Sequence, residues 1–143
     1  MKILVLGGYG FIGSHIVNKL KKQNHTVAVV DCYHQYYTLP NWEYIPILVQ
    51  RKNNAQADKE YIGQIEHLQF MQNVFEEFKP DRVIHCATYP NAKMVARNLV
   101  DATNNMITAT GYILDLCVKH KVQKFVFASS SMVYGDFKNN VPD

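Results

Sequence analysis

Short apolar runs alternate along this chain with segments in which apolar residues recur every three or four positions. Such runs, bounded by polar or turn-forming residues, are typical of strands buried on both faces of a parallel sheet. The predicted strands cover residues 2–6, 26–30, 59–65, 82–87 and 124–130. Because helical segments separate most of these strands, and such crossovers are right-handed, we predict a doubly wound α/β sheet with strand order 3-2-1-4-5.

Two of the predicted helices each carry one apolar face. Ile12, Ile16 and Leu20 lie at four-residue spacing in the first helix. A second helix is predicted over 68–78, where apolar residues recur at steps of three and four and Pro80 prevents continuation. Both helices are therefore expected to pack one face against the sheet.

The remaining segments have weaker patterns. Residues 92–120 predict one long helix. Its inward-facing residues are expected to include Met106, Ile113 and Leu116. Residues 44–49 are apolar but interrupted by Pro46, which leaves both a short strand and a short helix open, and the polar residues 52–58 predict a loop.

A glycine-rich turn joins the first predicted strand to the first predicted helix. The spacing G-x-G-x-x-G is carried by Gly8, Gly10 and Gly13. In this pattern the first glycine permits a tight turn, the second lets a pyrophosphate approach the backbone, and the third lets the helix pack closely on the strands. The N–H groups at the start of the helix, near Phe11 and Ile12, suit an anion.

An acidic residue ends the second predicted strand. Asp31 follows Gly13 at close to the ~20 residues expected for an acid that hydrogen-bonds a ribose diol. Strand, glycine turn, helix, strand and acid in this order predict a Rossmann dinucleotide-binding domain over residues 1–143. The alternative, from the residues alone, is a glycine turn that only packs a helix against the sheet.

Composition and charge agree with one folded domain. The chain has 143 residues, of which 48% are hydrophobic and 19% charged, with a net charge of +3. Lys19, Lys21 and Lys22 fall at the end of the first predicted helix, where cations complement the helix dipole, so we expect no nucleic-acid partner. We also expect no membrane span, because no apolar run is long enough, and no signal peptide, because the first strand begins at residue 2.

Cysteine and histidine usage indicates a reducing compartment, which we expect to be the cytoplasm. Cys32, Cys86 and Cys117 are odd in number and widely spaced, which argues against a disulfide framework. The histidines show no metal-ligand spacing with these cysteines, so we expect no metal site. His85, inside a predicted strand, is interpreted as a core residue rather than a base.

Segments along the whole chain resemble one protein family. Gly7 to His15 resembles an opening G-G-x-G-F-I-G-S-H, and residues 79–87, KPDRVIHCA, resemble K-P-D-x-V-I-H-x-A. Residues 125–135, FVFASSSMVYG, resemble F-x-x-x-S-S-x-x-V-Y-G. Together with Asp31, these segments make the chain similar to the N-terminal half of the NAD-dependent nucleotide-sugar epimerase/dehydratase family, which are extended short-chain dehydrogenases/reductases.

The resemblance implies NAD as the cofactor and assigns positions to it. The residues that match the family's cofactor-binding positions are Gly7, Gly10, Phe11, Ile12, Gly13, Asp31, Gln64, Ile65, Ala87, Thr88 and Asn105. Gln64 departs from the aspartate that is usual beside the adenine, although an amide can also hydrogen-bond the adenine amine. Asn105 matches an asparagine on the long helix, but a helix-surface amide is equally compatible with the residues around it.

The resemblance also places one catalytic residue within the chain. Ser130 matches the family's Ser/Thr that binds the reacting sugar hydroxyl, although by itself the serine run could be a strand-end turn. Tyr134 and Lys138 spell Y-x-x-x-K, but this spacing aligns two side chains only in a helix, and Gly135 is poor helix sequence. We interpret the match as coincidental and expect the catalytic Tyr-x-x-x-Lys pair, and the substrate domain, to lie beyond Asp143.

The chain is therefore predicted to be the cofactor-binding half of an NAD-dependent nucleotide-sugar epimerase or dehydratase, in which hydride passes transiently to NAD. Without the expected pair and substrate domain, the chain alone is predicted to be inactive, and to form a homodimer or to self-associate. The full-length enzyme would act on a nucleotide sugar. The alternatives are a non-catalytic NAD(P)-binding or sensing module and a short-chain-type reductase of a non-sugar substrate.

Overall fold

A computed structural model describes residues 1–34, 39–90 and 92–135. The strands are β1 (Lys2–Leu6), β2 (Thr26–Asp31), β3 (Lys59–Ile62), β4 (Arg82–His85) and β5 (Lys124–Phe127). The α-helices are α1 (Phe11–Lys22), α2 (Asn41–Ala55), α3 (Leu68–Phe78), α4 (Ala92–Arg97), α5 (Leu99–Thr103) and α6 (Ala109–Lys119). A π-helical segment, Asn104–Thr108, joins α5 to α6, and a 3-10 turn, Ser131–Tyr134, follows β5.

The described strands form the parallel sheet that the apolar runs predict. Its order is β3-β2-β1-β4-β5, which confirms the doubly wound Rossmann topology. In the register of the central strand, Leu4 is opposite Ala28 of β2 and Val83 of β4. From β1 the chain adds β2 and β3 on one side, and it then adds β4 and β5 on the other side. In such sheets the crevice at the carboxyl ends of the strands, where the order switches, binds ligands.

Apolar clusters cover both faces of this sheet. On one face, Phe75 of α3 and Ile113 of α6 pack with Leu6 of β1. On the other face, Val17 of α1 and Ala55 of α2 pack with the remaining inward residues of β1 and β2. Because helices cover both faces, the central strands are apolar at nearly every position, which is why their sequence reads as uninterrupted runs.

Three strands end earlier than predicted. β3 ends at Ile62 rather than at residue 65, β4 at His85 rather than at 87, and β5 at Phe127 rather than at 130. The residues after them leave the sheet. Several residues that the sequence matched to a cofactor or substrate therefore lie just beyond its carboxyl edge, in the position where α/β sheets bind ligands.

Residues 44–49, for which the sequence left a strand and a helix open, are helical and belong to α2. Pro46 lies inside this helix, and the loop predicted over 52–58 is wrong for residues 52–55. Tertiary contact explains the extension. Ala55 is fully buried, and the side chain of Asn18 on α1 donates to the carbonyl oxygen of Asn54.

The single helix predicted over 92–120 is wrong. The backbone of Asn98 departs from helical angles. Its side chain accepts a hydrogen bond from the N–H of Asp101 and so caps a new helix, α5, which begins at Leu99. The π-helical segment then places an extra residue in one turn and so rotates the side chains around the axis. Met106, predicted to face inward, is 37% exposed for this reason, whereas Asn105 is only 7% exposed.

The other inward predictions for this segment, Ile113 and Leu116, are confirmed as buried core residues. Among the described helices, none is long and apolar enough to cross a bilayer. No group of three or more His, Cys, Asp or Glu residues in the described ranges is placed to hold a metal ion.

Candidate functional site

The glycine turn between β1 and α1 is shaped by close backbone contacts. Gly7 has a φ of +73°, a left-handed conformation that favours glycine, and a β-carbon there would lie 2.8 Å from the backbone nitrogen of Ala87. A β-carbon at Gly8 would meet the side chain of Val29, and one at Gly13 would collide with the carbonyl oxygen of Gly7. The left-handed residue of the turn is therefore Gly7, whereas the sequence pattern assigned the tight turn to Gly8.

Gly10 is less constrained than its neighbours. Its backbone is extended, with φ −65° and ψ 172°, which any residue adopts. Among the described residues, a β-carbon at Gly10 would meet only the carbonyl oxygen of Gly7, at 3.2 Å. A side chain at Gly10 would therefore need only a small shift of this oxygen, whereas a pyrophosphate bound against this backbone would exclude it.

Helix α1 begins directly after Gly10, with an N-terminus available to a ligand. No described side chain caps it, its first turn carries no acidic residue, and the side chains of Phe11 and Ile12 are 69% and 61% exposed. The first N–H groups of a helix have no acceptor within the helix. The N–H groups of Phe11, Ile12 and Gly13 can therefore bind an anion.

The carboxylate of Asp31 is held at the end of β2 by backbone donors. The N–H of Tyr9 donates to its Oδ2 at 2.9 Å, and the N–H of Tyr33 donates to its Oδ1 at 2.8 Å. Burial raises the pKa of Asp31, while these N–H groups oppose the rise. Each oxygen retains lone-pair capacity to accept a further hydrogen bond, as the predicted contact with a ribose diol requires.

A polar cluster beside Asp31 has no counterpart among the sequence predictions. We call Tyr9, Tyr33, Lys52 and Glu60 the Glu60 cluster. The hydroxyls of Tyr9 and Tyr33 each donate to Oε2 of Glu60 at 3.1 Å. Nζ of Lys52 lies 2.8 Å from the same oxygen and 2.9 Å from the Tyr33 hydroxyl. Because these residues come from four separate segments, no local pattern signals the cluster.

A cleft of about 490 Å³ opens at the carboxyl edge of the sheet. It is lined by Cys32, His34, Gln64, Glu66, His67, Tyr89, Asp101, Asn104, Asn105, Thr108 and Tyr112. The structure thus brings together Gln64 and Asn105, which the sequence matched to cofactor positions. The side chain of Ile65 is only 4% exposed and belongs to the core, so a contact with a ligand would use its backbone.

Asn105 is a buried side chain of this cleft, not a helix-surface amide. Its Nδ2 donates to Oε1 of Glu66 at 2.9 Å, whereas its Oδ1 has no hydrogen-bond partner among the described residues. A buried acceptor without a partner is unfavourable, and a donor on a ligand would satisfy it. The sequence analysis missed Glu66. Glu66 lies in a turn after β3, closed by a hydrogen bond from the N–H of His67 to the carbonyl oxygen of Gln64, and no periodic pattern signals it.

Ala87 and Thr88 lie in the segment that follows β4. Both are half-buried, and the backbone of Ala87 closely approaches Gly7. This contact places the segment directly beside the glycine turn.

Ser130 and Tyr134 follow β5 at the same edge of the sheet. Ser130 is exposed, and its carbonyl oxygen accepts a hydrogen bond from the N–H of Val133 at 3.1 Å. Tyr134 ends a 3-10 turn, and Gly135 has a φ of +70°, so no helix continues through these residues. This geometry supports the interpretation that the Y-x-x-x-K match is coincidental, although Lys138 lies outside the described residues.

His85 lies inside the sheet, as its interpretation as a core residue requires. It is 1% exposed, its Nε2 lies 3.3 Å from Oγ1 of Thr110, and the rings of Phe125 and Phe127 meet it edge to face. Burial lowers the pKa of His85 to about 4. The imidazole is therefore neutral at physiological pH.

One protein family matches this chain over nearly its whole length. The model of the NAD dependent epimerase/dehydratase family matches residues 3–143. The dTDP-D-glucose 4,6-dehydratase of Dictyostelium discoideum is 34% identical over 136 residues, which cover 94% of this chain and 30% of that protein. A UDP-glucose 4-epimerase of Neisseria meningitidis serogroup C is 33% identical over 140 residues, covering 94% of this chain and 38% of that protein. The chain spans about a third of the length of these curated relatives.

Solved structures of similar proteins have the same arrangement of strands and helices. UDP-glucose 4-epimerase of Bifidobacterium longum, solved with NAD+ and UDP, superimposes with a TM-score of 0.77 at 29% identity, covering 94% of this chain and 38% of that one. The Thermotoga maritima UDP-glucose 4-epimerase, solved with UDP-glucose, gives a TM-score of 0.75 at 30% identity, covering 100% and 41%. By its glycine turn, its strand order and the match over residues 3–143, the chain belongs to the NAD dependent epimerase/dehydratase family.

Proposed function

We propose that this chain binds NAD and forms the cofactor-binding half of a nucleotide-sugar epimerase or dehydratase. The observation that carries the proposal is the relation between Gly10 and Asp31. The open turn at the start of α1 and the oriented carboxylate lie at one edge of the sheet, and the N–H of Tyr9, beside Gly10, binds Asp31 directly. A dinucleotide needs both features, because its pyrophosphate and its adenosine ribose are adjacent.

The described residues fit this cofactor at several points. The N–H groups of Phe11 and Ile12 would hold the pyrophosphate. Asp31 would accept hydrogen bonds from the adenosine ribose, and Gln64 would lie beside the adenine. The unpartnered Oδ1 of Asn105 offers an acceptor to the same molecule from within the cleft.

Ser130 is proposed to hold the reacting hydroxyl of the substrate through a hydrogen bond. When bound, NAD would supply the reversible acceptance of a hydride from the sugar. The reaction also needs a group that takes the hydroxyl proton near neutral pH. We do not assign that role to Tyr134, because Gly135 interrupts the helix that a Tyr-x-x-x-Lys pair requires.

The proposed substrate is a sugar linked to a nucleoside diphosphate. The relatives named above are a UDP-glucose 4-epimerase and a dTDP-D-glucose 4,6-dehydratase, both of which carry such a sugar in their names. The match covers the part of those proteins that this chain spans, so the similarity supports the substrate class rather than one particular sugar.

Calorimetric titration with NAD and NADP tests the proposal. We expect NAD to bind more tightly, because Asp31 accepts the free ribose diol and repels a 2′-phosphate. Asp31→Asn should weaken NAD binding about tenfold and reduce the preference for NAD, since the amide presents a donor where the diol needs an acceptor.

Asp58→Asn is the matched control. Asp58 also accepts a hydrogen bond from a backbone N–H, that of Val27 at 2.7 Å. It directly precedes β3, however, and so lies at the amino ends of the strands, away from the proposed site at their carboxyl ends. This variant should bind NAD like the wild type. Failure of the wild type to bind NAD, or equal binding of NADP, would contradict the proposed function.

A further inference from the structure

The Glu60 cluster adjoins the acid that is proposed to bind the adenosine ribose. The backbone N–H groups of Tyr9 and Tyr33 hold the Asp31 carboxylate, and the hydroxyls of the same tyrosines meet on Oε2 of Glu60. Each tyrosine therefore connects Asp31, through its backbone, with Glu60, through its side chain. The charged pair of the cluster is therefore held by the same two residues that orient Asp31.

Lys52 is the cation of this cluster. Its Nζ lies 2.8 Å from Oε2 of Glu60, and 5.3 and 5.1 Å from the ring centroids of Tyr9 and Tyr33. The hydrogen bond to Glu60 raises the pKa of Lys52, and the same contact lowers the pKa of Glu60, so both stay charged near neutral pH. Together they add no net charge to the site.

NAD and NADP differ in charge at the adenosine ribose. NADP differs from NAD by a phosphate on the adenosine 2′-hydroxyl, the group that Asp31 would face in NAD. A phosphate is stabilised by a lysine or arginine that is able to reach it, and carboxylates nearby repel it. Lys52 is already paired with Glu60 and packed against the tyrosine rings. Arg51, the neighbour of Lys52 on α2, is close enough to lower the pKa of Asp31. It therefore contributes positive charge near Asp31 in addition to Lys52.

We propose that Glu60 strengthens the preference for NAD that Asp31 sets, by keeping Lys52 paired and so withholding a cation from a 2′-phosphate. The inference rests on the proposed binding of the adenosine ribose at Asp31. Glu60 acts through Lys52 and the tyrosines, so it is a positioning residue. Its effect is read from the selectivity, defined as the Kd of NADP divided by the Kd of NAD, and not from overall affinity.

Variants that change the charge in opposite directions test the inference. Glu60→Gln keeps the length of the side chain and an acceptor for the tyrosine hydroxyls, but it releases Lys52. The selectivity for NAD should then fall about tenfold, and added NaCl should weaken the gained NADP binding. Lys52→Met leaves the Glu60 carboxylate unpaired, so the selectivity should rise above that of the wild type.

Glu77→Gln provides the matched control. It removes a carboxylate that pairs with an exposed lysine, Lys59 on β3, next to Glu60 in sequence. The selectivity of this variant should equal that of the wild type. Circular dichroism of each variant establishes that it is folded before titration.

A selectivity for NAD that falls in Glu60→Gln and rises in Lys52→Met supports the inference. Unchanged selectivity in both folded variants, with NAD still bound, would overturn it and leave the proposed function standing. Absence of NAD binding to the wild type would overturn both. If Glu60→Gln does not fold, the direction of change in Lys52→Met decides the question.

Discussion

Gly13 packs so closely on Gly7 that a β-carbon on Gly13 would collide with the Gly7 carbonyl oxygen and lie 2.9 Å from Cα of Gly8. This contact seats the first turn of α1 against the end of β1. A β-carbon on Gly10, between them in the sequence, would meet only the Gly7 carbonyl oxygen among the described residues, at 3.2 Å. The fold itself therefore excludes a side chain at Gly7, Gly8 and Gly13, whereas at Gly10 the stronger constraint would come from a ligand.

Gly10→Val should abolish NAD binding while the protein remains folded, because the added side chain would occupy the space proposed for the pyrophosphate. Valine is compatible with the extended backbone at this position. Calorimetry measures the binding, and thermal unfolding establishes that the variant stays folded despite the 3.2 Å contact of its β-carbon with the Gly7 carbonyl oxygen. Gly13→Ala should instead lower the free energy of unfolding by about 2 kcal/mol or more, through the overpacking described above. Retained NAD affinity in folded Gly10→Val would show that the cofactor does not bind at this turn.

Acid should destabilise this protein partly through His85. Burial lowers the pKa of His85 to about 4, whereas the unfolded chain has a histidine pKa of about 6.5. Between these values the unfolded chain binds a proton that the folded chain does not. The free energy of unfolding should therefore fall as pH decreases from 6.5 to 4, by up to about 1.4 kcal/mol per pH unit from this group.

His85→Leu should flatten that pH dependence, because the variant has no proton to bind at this position. The Thr110 hydroxyl retains a hydrogen-bond partner in the variant, because its Oγ1 also donates to the carbonyl oxygen of Met106 at 2.8 Å. Urea unfolding at pH 7.5, 6 and 5 compares the two proteins. Parallel curves for wild type and variant would assign the pH dependence to another group.

The chain should self-associate through β5, which forms one edge of the described sheet. Val126 and Phe127 are 44% and 45% exposed, and an apolar edge strand favours pairing with another chain. Light scattering over a concentration series should show a mass that rises with concentration. Val126→Lys should reduce the association, whereas Ile62→Lys on β3, at the opposite edge, should leave it unchanged. A strictly monomeric wild type is the result that would exclude this prediction.

Tyr134 should not act as a catalytic base. The 143-residue chain, assayed with NAD and a panel of UDP-, dTDP- and GDP-sugars, is expected to show no turnover, because the left-handed backbone of Gly135 does not continue a helix from Tyr134. Product chromatography and NADH absorbance provide independent measurements. Turnover that is lost in Tyr134→Phe would overturn this expectation and make Tyr134 with Lys138 the catalytic pair.

The order of the sheet and the position of the glycine turn follow from the sequence alone. Strands buried on both faces are apolar at most positions, so β1, β2 and β4 are visible as runs, and the dinucleotide-binding pattern favours the order 3-2-1-4-5 among doubly wound sheets. Gly8, Gly10 and Gly13 precede a helix, and Asp31 ends the strand after it. This spacing is likewise a pattern within one continuous segment of the chain. Each of these features depends on residues that are close together in the chain.

Features that depend on distant residues were decided only by the tertiary structure. Helix α2 extends to Ala55 because that residue is buried against the sheet and α1, which no local pattern reveals. The π-helical segment turns Asn105 inward and Met106 outward, since one extra residue in a turn rotates every side chain after it. The Glu60 cluster joins a glycine turn, a strand end, a helix and an edge strand, and these segments meet only once the parallel sheet has formed.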